Sequence, residues 1–318
     1  MLHRRQFLRV SQCVISSIRC RGMATIRSSM PHEERTAAEP RQNRLEPVTL
    51  SHIREINDTL RVLRLSPIDP TRTIQFSPGQ WLDTFIPGLR SAGGFTITST
   101  PSEARPSRNS APFLELAVQK SRNPPAQWLW QDAERILGQQ LTVRVGGGFI
   151  WPPAGIDASQ IERLVFVAGG VGVNPLISMF SHLIRATHRP REIHFLYGTK
   201  ASPEIDPQKI LFLPRLMDLC AATSDPNVTL SLYLTGTGDQ GKIEHGKLPN
   251  RTFARRISEA DVVGALDGFK ASTYGAEHDR LDTICYICGP SQFTDGFVDM
   301  IKNQPGMTEA RVLREKWW

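Results

Sequence analysis

The sequence predicts two domains, an antiparallel β-barrel followed by an α/β domain with a doubly wound parallel sheet. Short strand-like segments separated by turn residues fill positions 45–156. From position 157 to 318, apolar strand-like runs alternate with segments of helical period. The first pattern is typical of small barrels and the second of parallel sheets with helices on both faces. At 318 residues, 40% of them hydrophobic, the chain is long enough for two cores.

Residues 1–30 have the composition of a mitochondrial transit peptide. They contain six of the 38 basic residues, all arginine, and no acid, with serines and apolar residues interleaved at roughly helical spacing. Such segments are Arg-rich, Ser-rich and poor in acids. A disordered basic arm is the alternative. The arginines are Arg4, Arg5, Arg9, Arg19, Arg21 and Arg27.

The net charge of +7 belongs largely to this leader, because the rest of the chain has 32 basic against 31 acidic residues. We therefore expect no nucleic-acid partner. Residues 31–44 are polar and are interpreted as a linker. No run is long and apolar enough to predict a transmembrane segment. The expected location is the mitochondrion.

Seven strands are predicted between the linker and position 156, where β-branched and aromatic residues concentrate between turns such as "SPGQ" and "VGGG". The strands are "VTLSHIREIN", "LRVLRL", "TIQF", "WLDTFI", "FTITST", "FLELAVQK" and "LTVRV".

The second domain opens with the continuous apolar run "RLVFVAGG", which predicts a strand buried on both faces. Leu176, Met179, Phe180 and Leu183 then share one face of a predicted helix. The later elements alternate in the same way: strand "REIHFLYG", helix "LFLPRLMDLC", strand "VTLSLYL", helix "SEADVVGAL", strand "DTICYIC", helix "FTDGFVDMIK" and strand "RVLRE".

The stretch "AGGVGVNPL" between the first strand and the first helix predicts a phosphate-binding turn. Gly169, Gly170 and Gly172 allow a tight turn and close approach of backbone amides to a ligand. Asn174 suits a helix N-cap and Pro175 the first helical position. A helix N-terminus opened in this way favours the pyrophosphate of a dinucleotide. A glycine-rich turn without a ligand is the alternative.

Two other motifs are interpreted as chance matches. "GTGDQG", residues 236–241, has the G-x-G-x-x-G spacing but no helical pattern follows it, so it predicts a flexible loop. Cys285 and Cys288 have CxxC spacing inside a predicted strand, where residues three apart point to opposite faces. We therefore do not expect a disulfide framework or a metal site.

The order of motifs along residues 46–318 resembles the ferredoxin reductase family of flavin and pyridine-nucleotide oxidoreductases. The match extends through the final "EKWW" to the oxidoreductase NAD-binding domain-containing proteins found in mitochondria. The resemblance implies a flavin-binding barrel, a nicotinamide-binding α/β domain, and hydride transfer from NADH or NADPH to the flavin between them. It rests on "SPGQW", "GGFTITSTP", "VGGGF", "AGGVGVNPL", "LYG" and "CGPSQF".

Within this family, the strand "GGFTITS" would lie along the flavin. The resemblance implies that Phe95 packs against the ring and that the hydroxyl of Thr96 lies near the reacting nitrogen. Gly93 stands where the family has an arginine for the flavin phosphate, and glycine has neither its charge nor its fork. Pro125 alters the family's second phosphate loop and supplies no amide donor. FAD or FMN is the expected flavin, with Arg122 as a possible compensating cation. Cofactor contacts are expected from Phe95, Thr96, Ile97 and Thr98.

The nicotinamide half matches the family more closely. The thiol of Cys288 is implied to lie near the nicotinamide, although a small buried residue at a strand end is the alternative. NADPH-selective members of the family have serine and arginine after the third strand of this domain. Here Gly236 and a nearby acid, Asp239, follow that strand, so NADH is favoured over NADPH. Lys200 is a cation that would instead favour NADPH. The implied contacts are Gly169, Gly170, Val171, Gly172, Val173, Asn174, Pro175, Cys288, Gly289 and Pro290.

The last two residues, Trp317 and Trp318, are implied to shield the flavin ring until nicotinamide displaces them. A core plug between the domains is the alternative, because large apolar rings require a partner. Thr96, Cys288 and Trp318 are thus the expected catalytic residues. Electrons would leave to an unidentified acceptor, because no cluster or haem motif accompanies the two domains.

Three functional hypotheses remain from the sequence. The first is a flavin-dependent NADH oxidoreductase. The second is a nucleotide-binding sensor or regulator with a degenerate flavin site, which Gly93 and Pro125 motivate. The third is a structural partner that retains the fold without cofactors, which fold alone does not exclude.

Overall fold

The computed structural model describes residues 30–108, 110–201, 204–236, 243, 246–269 and 280–317. They form two six-stranded sheets. The first is antiparallel with the order β4-β3-β6-β1-β2-β5, and the second is parallel with the order β10-β9-β8-β7-β11-β12. The chain passes from the first sheet to the second between Gly146 and Arg163, a range that contains the predicted boundary at Asp157.

The antiparallel sheet curls so that its two edge strands approach each other, but it is not closed by a complete strand pair. β4 and β5 meet through a single bridge between Ile97 and Leu116 and a 2.7 Å hydrogen bond from the amide of Thr98 to the carbonyl of Glu115. The predicted barrel is therefore a curled sheet with one partly joined seam. Its strands are β1 (Glu46–Asn57), β2 (Leu60–Pro67), β3 (Trp81–Phe85), β4 (Gly93–Thr96), β5 (Leu114–Gln119) and β6 (Gln140–Gly146).

The predicted strand "TIQF" is wrong, because residues 73–76 pair with no strand. Ile74 and Phe76 are nevertheless buried in the core of the sheet. The alternating pattern that predicted a strand thus reflects burial of an irregular segment. Two short helices between β5 and β6 complete the domain, α2 (Pro124–Leu129) and α3 (Ala133–Ile136).

Residues 31–44, expected as a linker, instead pack against the antiparallel sheet. The segment begins with a short helix, α1 (His32–Arg35). The His32 ring lies directly on Gly94 and contacts Trp81 edge-on, with ring centroids 4.6 Å apart. The polar composition of residues 31–44 gave no sign of this contact. The groups that become buried are a histidine and an arginine, and both pair with a buried acid.

That acid is Asp83, which is fully buried in β3. Arg41 and Arg144 each donate to its Oδ2, at 2.9 and 2.7 Å, and His32 Nε2 lies 3.2 Å from its Oδ1. Burial alone would raise the pKa of Asp83, but the hydrogen bonds from these three partners outweigh burial and lower it to about 2. The ion cluster thus fastens residues 31–44 to the sheet.

Asp83→Asn is expected to lower the free energy of unfolding by about 3 kcal/mol at neutral pH, because it leaves two arginines without their buried counter-charge. The contribution of Asp83 is present above the unfolded pKa of 3.8 and is lost as pH falls towards about 2, so the variant should lack this acid-dependent loss. Urea unfolding between pH 7 and pH 2 measures both effects. The exposed control Asp58→Asn should change stability by less than about 0.5 kcal/mol, and an equal effect of both substitutions would contradict the prediction.

The second domain is a doubly wound parallel sheet, as predicted. Helices α4 and α5 pack on one face and α6 and α7 on the other. The strands are β7 (Arg163–Gly169), β8 (Glu192–Lys200), β9 (Val228–Thr235), β10 (Arg251–Phe253), β11 (Thr283–Pro290) and β12 (Val312–Trp317). The helices are α4 (Val173–Arg185), α5 (Leu213–Thr223), α6 (Glu259–Asp267) and α7 (Ser291–Lys302). β10 was not predicted.

The strand order reverses between β7 and β11. The chain runs outward from β7 through β8, β9 and β10, and then returns to β11 and β12 on the other side of β7. Ligands of open α/β sheets bind in the crevice at this point, beyond the carboxyl ends of the strands. The glycine-rich turn follows β7 and Cys288-Gly289-Pro290 ends β11, so both predicted nucleotide motifs meet there.

The two domains share a hydrophobic cluster and several buried polar contacts. Ala117 and Phe149 of the first domain pack with Phe180 and Tyr286 of the second. The hydroxyl of Ser178 on α4 donates to a backbone carbonyl of the first domain, at 2.6 Å. No helix in the part of the chain that the structure describes has the length and apolarity needed to span a bilayer.

Candidate functional site

The glycine-rich turn lies against the end of β11. Gly170 has a φ of +54°, a left-handed conformation that favours glycine, and Gly170–Gly172 form a short 3₁₀ turn. A Cβ on Gly172 would overlap the backbone carbonyl of Cys288 and would lie 2.6 Å from the amide nitrogen of Gly289. The turn therefore requires glycine at position 172 to approach Cys288 and Gly289 this closely.

Helix α4 begins at Val173, two residues earlier than the predicted start at Pro175. Gly172 is its N-cap, without a side-chain cap, so Asn174 and Pro175 occupy the second and third helical positions. Proline is still tolerated there, since the first amides of a helix have no intrahelical partner. The Asn174 amide instead donates to the carbonyl of Ala117 at 3.0 Å and joins the two domains. The backbone amide of Val173 donates to the carbonyl of Gly170 within the 3₁₀ turn, and Pro175 has no amide proton, so only part of the first turn can offer amides to a ligand.

A cavity of about 710 Å³ lies at the carboxyl ends of β7, β8, β9 and β11. We call it the nucleotide cavity. Gly169, Gly170 and Pro290, which were expected to contact the nucleotide, line it. Lys200, which ends β8, and Arg256, which follows β10, also line it, and neither side chain forms an ion pair with the residues that the structure describes. These two cations give the cavity a preference for an anionic ligand.

The inner wall of the nucleotide cavity is formed by Phe293 on α7. Cβ atoms on Gly169 and Gly289 would lie 3.0 and 2.6 Å from its ring, so both glycines are covered by this aromatic side chain. Phe297 supports the ring edge-on at 4.7 Å. Neither phenylalanine was singled out in the sequence, because "SQFTDGF" has the ordinary apolar spacing of a helix packed on a sheet.

Cys285 and Cys288 point to opposite faces of the parallel sheet, as predicted. Cys285 belongs to the core under α6 and α7, whereas Cys288 belongs to the core that faces the antiparallel domain. Burial raises the pKa of Cys285, so its thiol stays protonated. Cys220, Cys285 and Cys288 form no disulfide, and no three metal-type ligands cluster within the described ranges.

A second cavity, of about 550 Å³, lies between the two domains. We call it the interdomain cavity. Thr96 at the end of β4 and Glu315 on β12 line it, with Trp81 and Phe149 as aromatic walls. The hydroxyl of Thr96 and one carboxylate oxygen of Glu315 are buried without a hydrogen-bond partner among the described residues. Buried polar atoms usually have a partner, so these two oxygens are the polar groups of the cavity with unused hydrogen-bonding capacity among the described residues.

Glu315 lies beside Cys288, its partner in the β11–β12 pairing, on the side of the sheet that faces the antiparallel domain. Burial, reinforced by the nearby charge of Glu39, raises the pKa of Glu315 to about 8. The carboxyl group is therefore protonated at neutral pH and can donate a proton or a hydrogen bond. Sequence reasoning missed Glu315, because an acid in "REKWW" has no local sign of burial.

The predicted flavin strand does not present all its residues to one open space. Thr96 lines the interdomain cavity, but Phe95 packs into the core of the antiparallel sheet. Ile97 is fully buried, and the hydroxyl of Thr98 donates to Glu115 at 3.0 Å. Of this strand segment, Thr96 lines the interdomain cavity, whereas Phe95, Ile97 and Thr98 are engaged in contacts within the protein.

Several predicted features lie outside the described residues. These are the leader up to position 29, the loop 237–242 with Asp239, the side chain of Trp317, and Trp318. Trp317 has its backbone in β12, paired with Pro290 of β11.

Comparison with known proteins agrees with this geometry. Residues 161–267 match the ferric reductase NAD binding domain family. The chain is 34% identical over 301 residues to oxidoreductase NAD-binding domain-containing protein 1 of Danio rerio, covering 92% of this chain and 100% of that protein. A crystal structure of an Amycolatopsis cytochrome P450 reductase aligns with a TM-score of 0.62 at 19% identity, over 87% of this chain and 70% of that one.

The FAD/NAD binding domain of a Vibrio cholerae nitric oxide dioxygenase aligns with a TM-score of 0.61 at 13% identity, over 86% of this chain and 98% of that one. At these identities the two structural matches establish the shared fold of ferredoxin reductase-type proteins.

Proposed function

Because the chain belongs to the family of oxidoreductase NAD-binding domain-containing proteins, we propose that it passes hydride from a nicotinamide nucleotide in the nucleotide cavity to a flavin ring in the interdomain cavity. The observation that carries this proposal is the position of Cys288 and Glu315. They are neighbours at the carboxyl ends of β11 and β12, between the glycine-rich turn and Thr96. Nicotinamide and acceptor would meet there.

The donor side is proposed to work through the turn after β7. Backbone amides of Gly170–Gly172 and the positive end of the α4 dipole would bind the pyrophosphate, since helix N-termini favour anions. The close contact of Gly172 with Cys288 would fix the distance between the phosphate-binding turn and the strand end that receives the nicotinamide. Gly289 and Pro290 would complete this wall of the crevice.

The acceptor side is proposed to work through Thr96 and Glu315. Their unpaired buried oxygens would orient the ring, and the walls of the cavity would exclude water from it. A bound flavin supplies the two-electron chemistry that amino-acid side chains lack. Protonated Glu315 would hold a proton beside the reacting atoms, and general acids placed in this way accelerate reactions by about 10²–10⁴-fold. The final electron acceptor stays unidentified, and the shielding role of Trp317 and Trp318 stays a prediction.

The test is anaerobic mixing of the purified chain with NADH and, in turn, FAD, FMN and riboflavin, followed by flavin absorbance. Bleaching that requires the protein is expected. Nicotinamide binding without flavin binding would instead favour the sensor or regulator hypothesis, which the presence of Gly93 and Pro125 supports. Binding of neither would favour a structural role. The mitochondrial location is also a proposal, tested by importing the full chain into isolated mitochondria and observing cleavage within or near residues 1–30.

NADH is the proposed donor, but the cations of the nucleotide cavity should allow NADPH as well. Arg256→Ala is expected to lower kcat/KM for NADPH by about fivefold or more and to leave kcat/KM for NADH within about twofold, because only NADPH carries, beyond the pyrophosphate that both nucleotides share, a 2′-phosphate for the guanidinium to bind. Steady-state kinetics with both nucleotides measures the ratio, and each nucleotide serves as the control for the other. An equal loss of kcat/KM with both nucleotides would contradict a contact between Arg256 and the 2′-phosphate of NADPH.

A further inference from the structure

Protein side chains occupy the position where the phosphate of a flavin was expected. A Cβ on Gly93 would lie 2.6 Å from the Phe95 ring and 2.6 Å from the Cβ of Pro125. Interiors packed this tightly do not accept a larger group without displacing their neighbours. Position 93 therefore has no room for a phosphate-binding side chain, and Pro125 at the start of α2 offers no amide.

The groove beyond Gly93 is closed by the parallel domain. Arg215 of α5 binds Glu115 of β5 at 2.6 Å, and Glu115 also accepts the hydroxyl of Thr98 at 3.0 Å. Ser178 of α4 caps the carbonyl of Ser99 at 2.6 Å. Glu115, Thr98, Ser99 and Ser178 are buried and, with the partly buried Arg215, satisfy one another, so these polar groups are not open to a phosphate. The adenylate half of FAD has no site along this strand.

The interdomain cavity, by contrast, carries an arginine without a counter-ion. Arg35 of α1 lines the cavity, is half-buried, and forms no ion pair with the described residues. Burial lowers the pKa of Arg35, which shows that its charge is partly removed from water. The other long cations of the cavity lie near acids, Arg314 at 3.7 Å from Glu309 and Lys316 at 2.5 Å from Asp295.

An anion beside Arg35 would therefore be stabilised. A desolvated charge without a partner is costly, and arginine binds phosphate through paired, charge-assisted hydrogen bonds. The acid nearest along the chain that lines the cavity, Glu39, accepts the amide of Gly148 at 3.2 Å. Arg35 thus remains the cavity residue best suited to a phosphate, on the N-terminal segment that the ion cluster of Asp83 fastens in place.

Resting on the proposed function, we propose that the acceptor is a flavin mononucleotide whose ring occupies the interdomain cavity and whose single phosphate binds Arg35. When both groups are bound, the nicotinamide would supply a hydride to the flavin ring and Glu315 would donate the accompanying proton, which solvent would replace. Oxidised nicotinamide and dihydroflavin would result, and the adenylate half of FAD would contribute no binding.

Fluorescence titration of the full chain with riboflavin, FMN and FAD tests this assignment. FMN is expected to bind about tenfold or more tightly than riboflavin, and FAD no more tightly than FMN. In Arg35→Gln, FMN affinity should fall to that of riboflavin, while riboflavin affinity stays unchanged and shows that the variant is folded. Arg35→Lys should restore part of the difference. Arg122→Gln, which removes the cation beside the expected phosphate loop, should change nothing.

FAD binding about tenfold more tightly than FMN would overturn the proposal, as would a loss of FMN affinity in Arg122→Gln with Arg35→Gln unaffected. Equal affinities for riboflavin and FMN in the unmodified chain would also overturn it. Absence of binding for all three flavins, with NADH still bound, would contradict the proposed flavin-dependent function rather than the phosphate assignment alone.

Discussion

Glu315→Gln is expected to lower kcat for flavin reduction by about a hundredfold or more, while the dissociation constant for NADH stays within about threefold. Glutamine keeps the shape and a hydrogen-bond donor but has no acidic proton. The carboxyl group lies beside Cys288 and lines the interdomain cavity, where the proton is needed. Stopped-flow absorbance separates the hydride-transfer rate from nucleotide binding. An unchanged rate would show that Glu315 is only a wall of the cavity.

The pH dependence gives a second readout for Glu315. Because the pKa of the folded carboxyl is about 8, activity of the unmodified chain should fall as pH rises through 8, and Glu315→Gln should lack this limb. Glu39→Gln is a matched control, since the charge of Glu39 helps to raise the pKa of Glu315. Its removal should move the activity limb to lower pH without abolishing turnover.

The stability of the folded chain should also depend on the protonation of Glu315. The folded pKa of Glu315 lies above the unfolded value of 4.5, so the folded state binds the proton more strongly. Stability attributable to this group is complete below pH 4.5 and is lost as pH rises towards 8. Glu315→Gln should therefore melt at nearly the same temperature as the unmodified chain at pH 4.5 and at a higher temperature at pH 8. A constant difference across this range would contradict the shifted pKa.

The features that could be predicted from sequence are those encoded locally. The run "RLVFVAGG" has no polar residue after Arg163 because β7 is buried on both faces, and it ends in the glycines of the turn. The opposite orientation of Cys285 and Cys288 follows from the two-residue period of a strand. These patterns need no knowledge of which strands are neighbours.

The features that could not be predicted depend on contacts between distant segments. Glu315 lines the interdomain cavity only because β12 pairs with β11. Arg35 lines it only because His32 and Arg41 bind Asp83 in β3. Arg256 lines the nucleotide cavity because β10, which precedes it in the chain, pairs with β9. Charged residues in polar stretches are usually solvated, so sequence reasoning assigned Arg35 to a linker and Glu315 to a strand end, and made no prediction for Arg256.

Gly172→Ala is expected to lower nucleotide affinity by about a hundredfold or to prevent stable folding. The added methyl group would overlap the backbone carbonyl of Cys288 and crowd the amide of Gly289, and backbone atoms at a strand end cannot move aside as a flexible side chain does. Either the glycine-rich turn or the end of β11 must shift. Both are proposed to bind the same nucleotide, so any shift separates the pyrophosphate site from the nicotinamide site.

NADH titration by fluorescence and thermal melting of the same samples distinguish the two effects. Gly264→Ala in α6 is the matched control, because a Cβ there meets nothing within 4 Å. Alanine at this helical position should leave NADH affinity unchanged and raise stability by up to about 1 kcal/mol. If Gly172→Ala melts like the unmodified chain and binds NADH equally well, the close approach of the turn to Cys288 is not required for nucleotide binding.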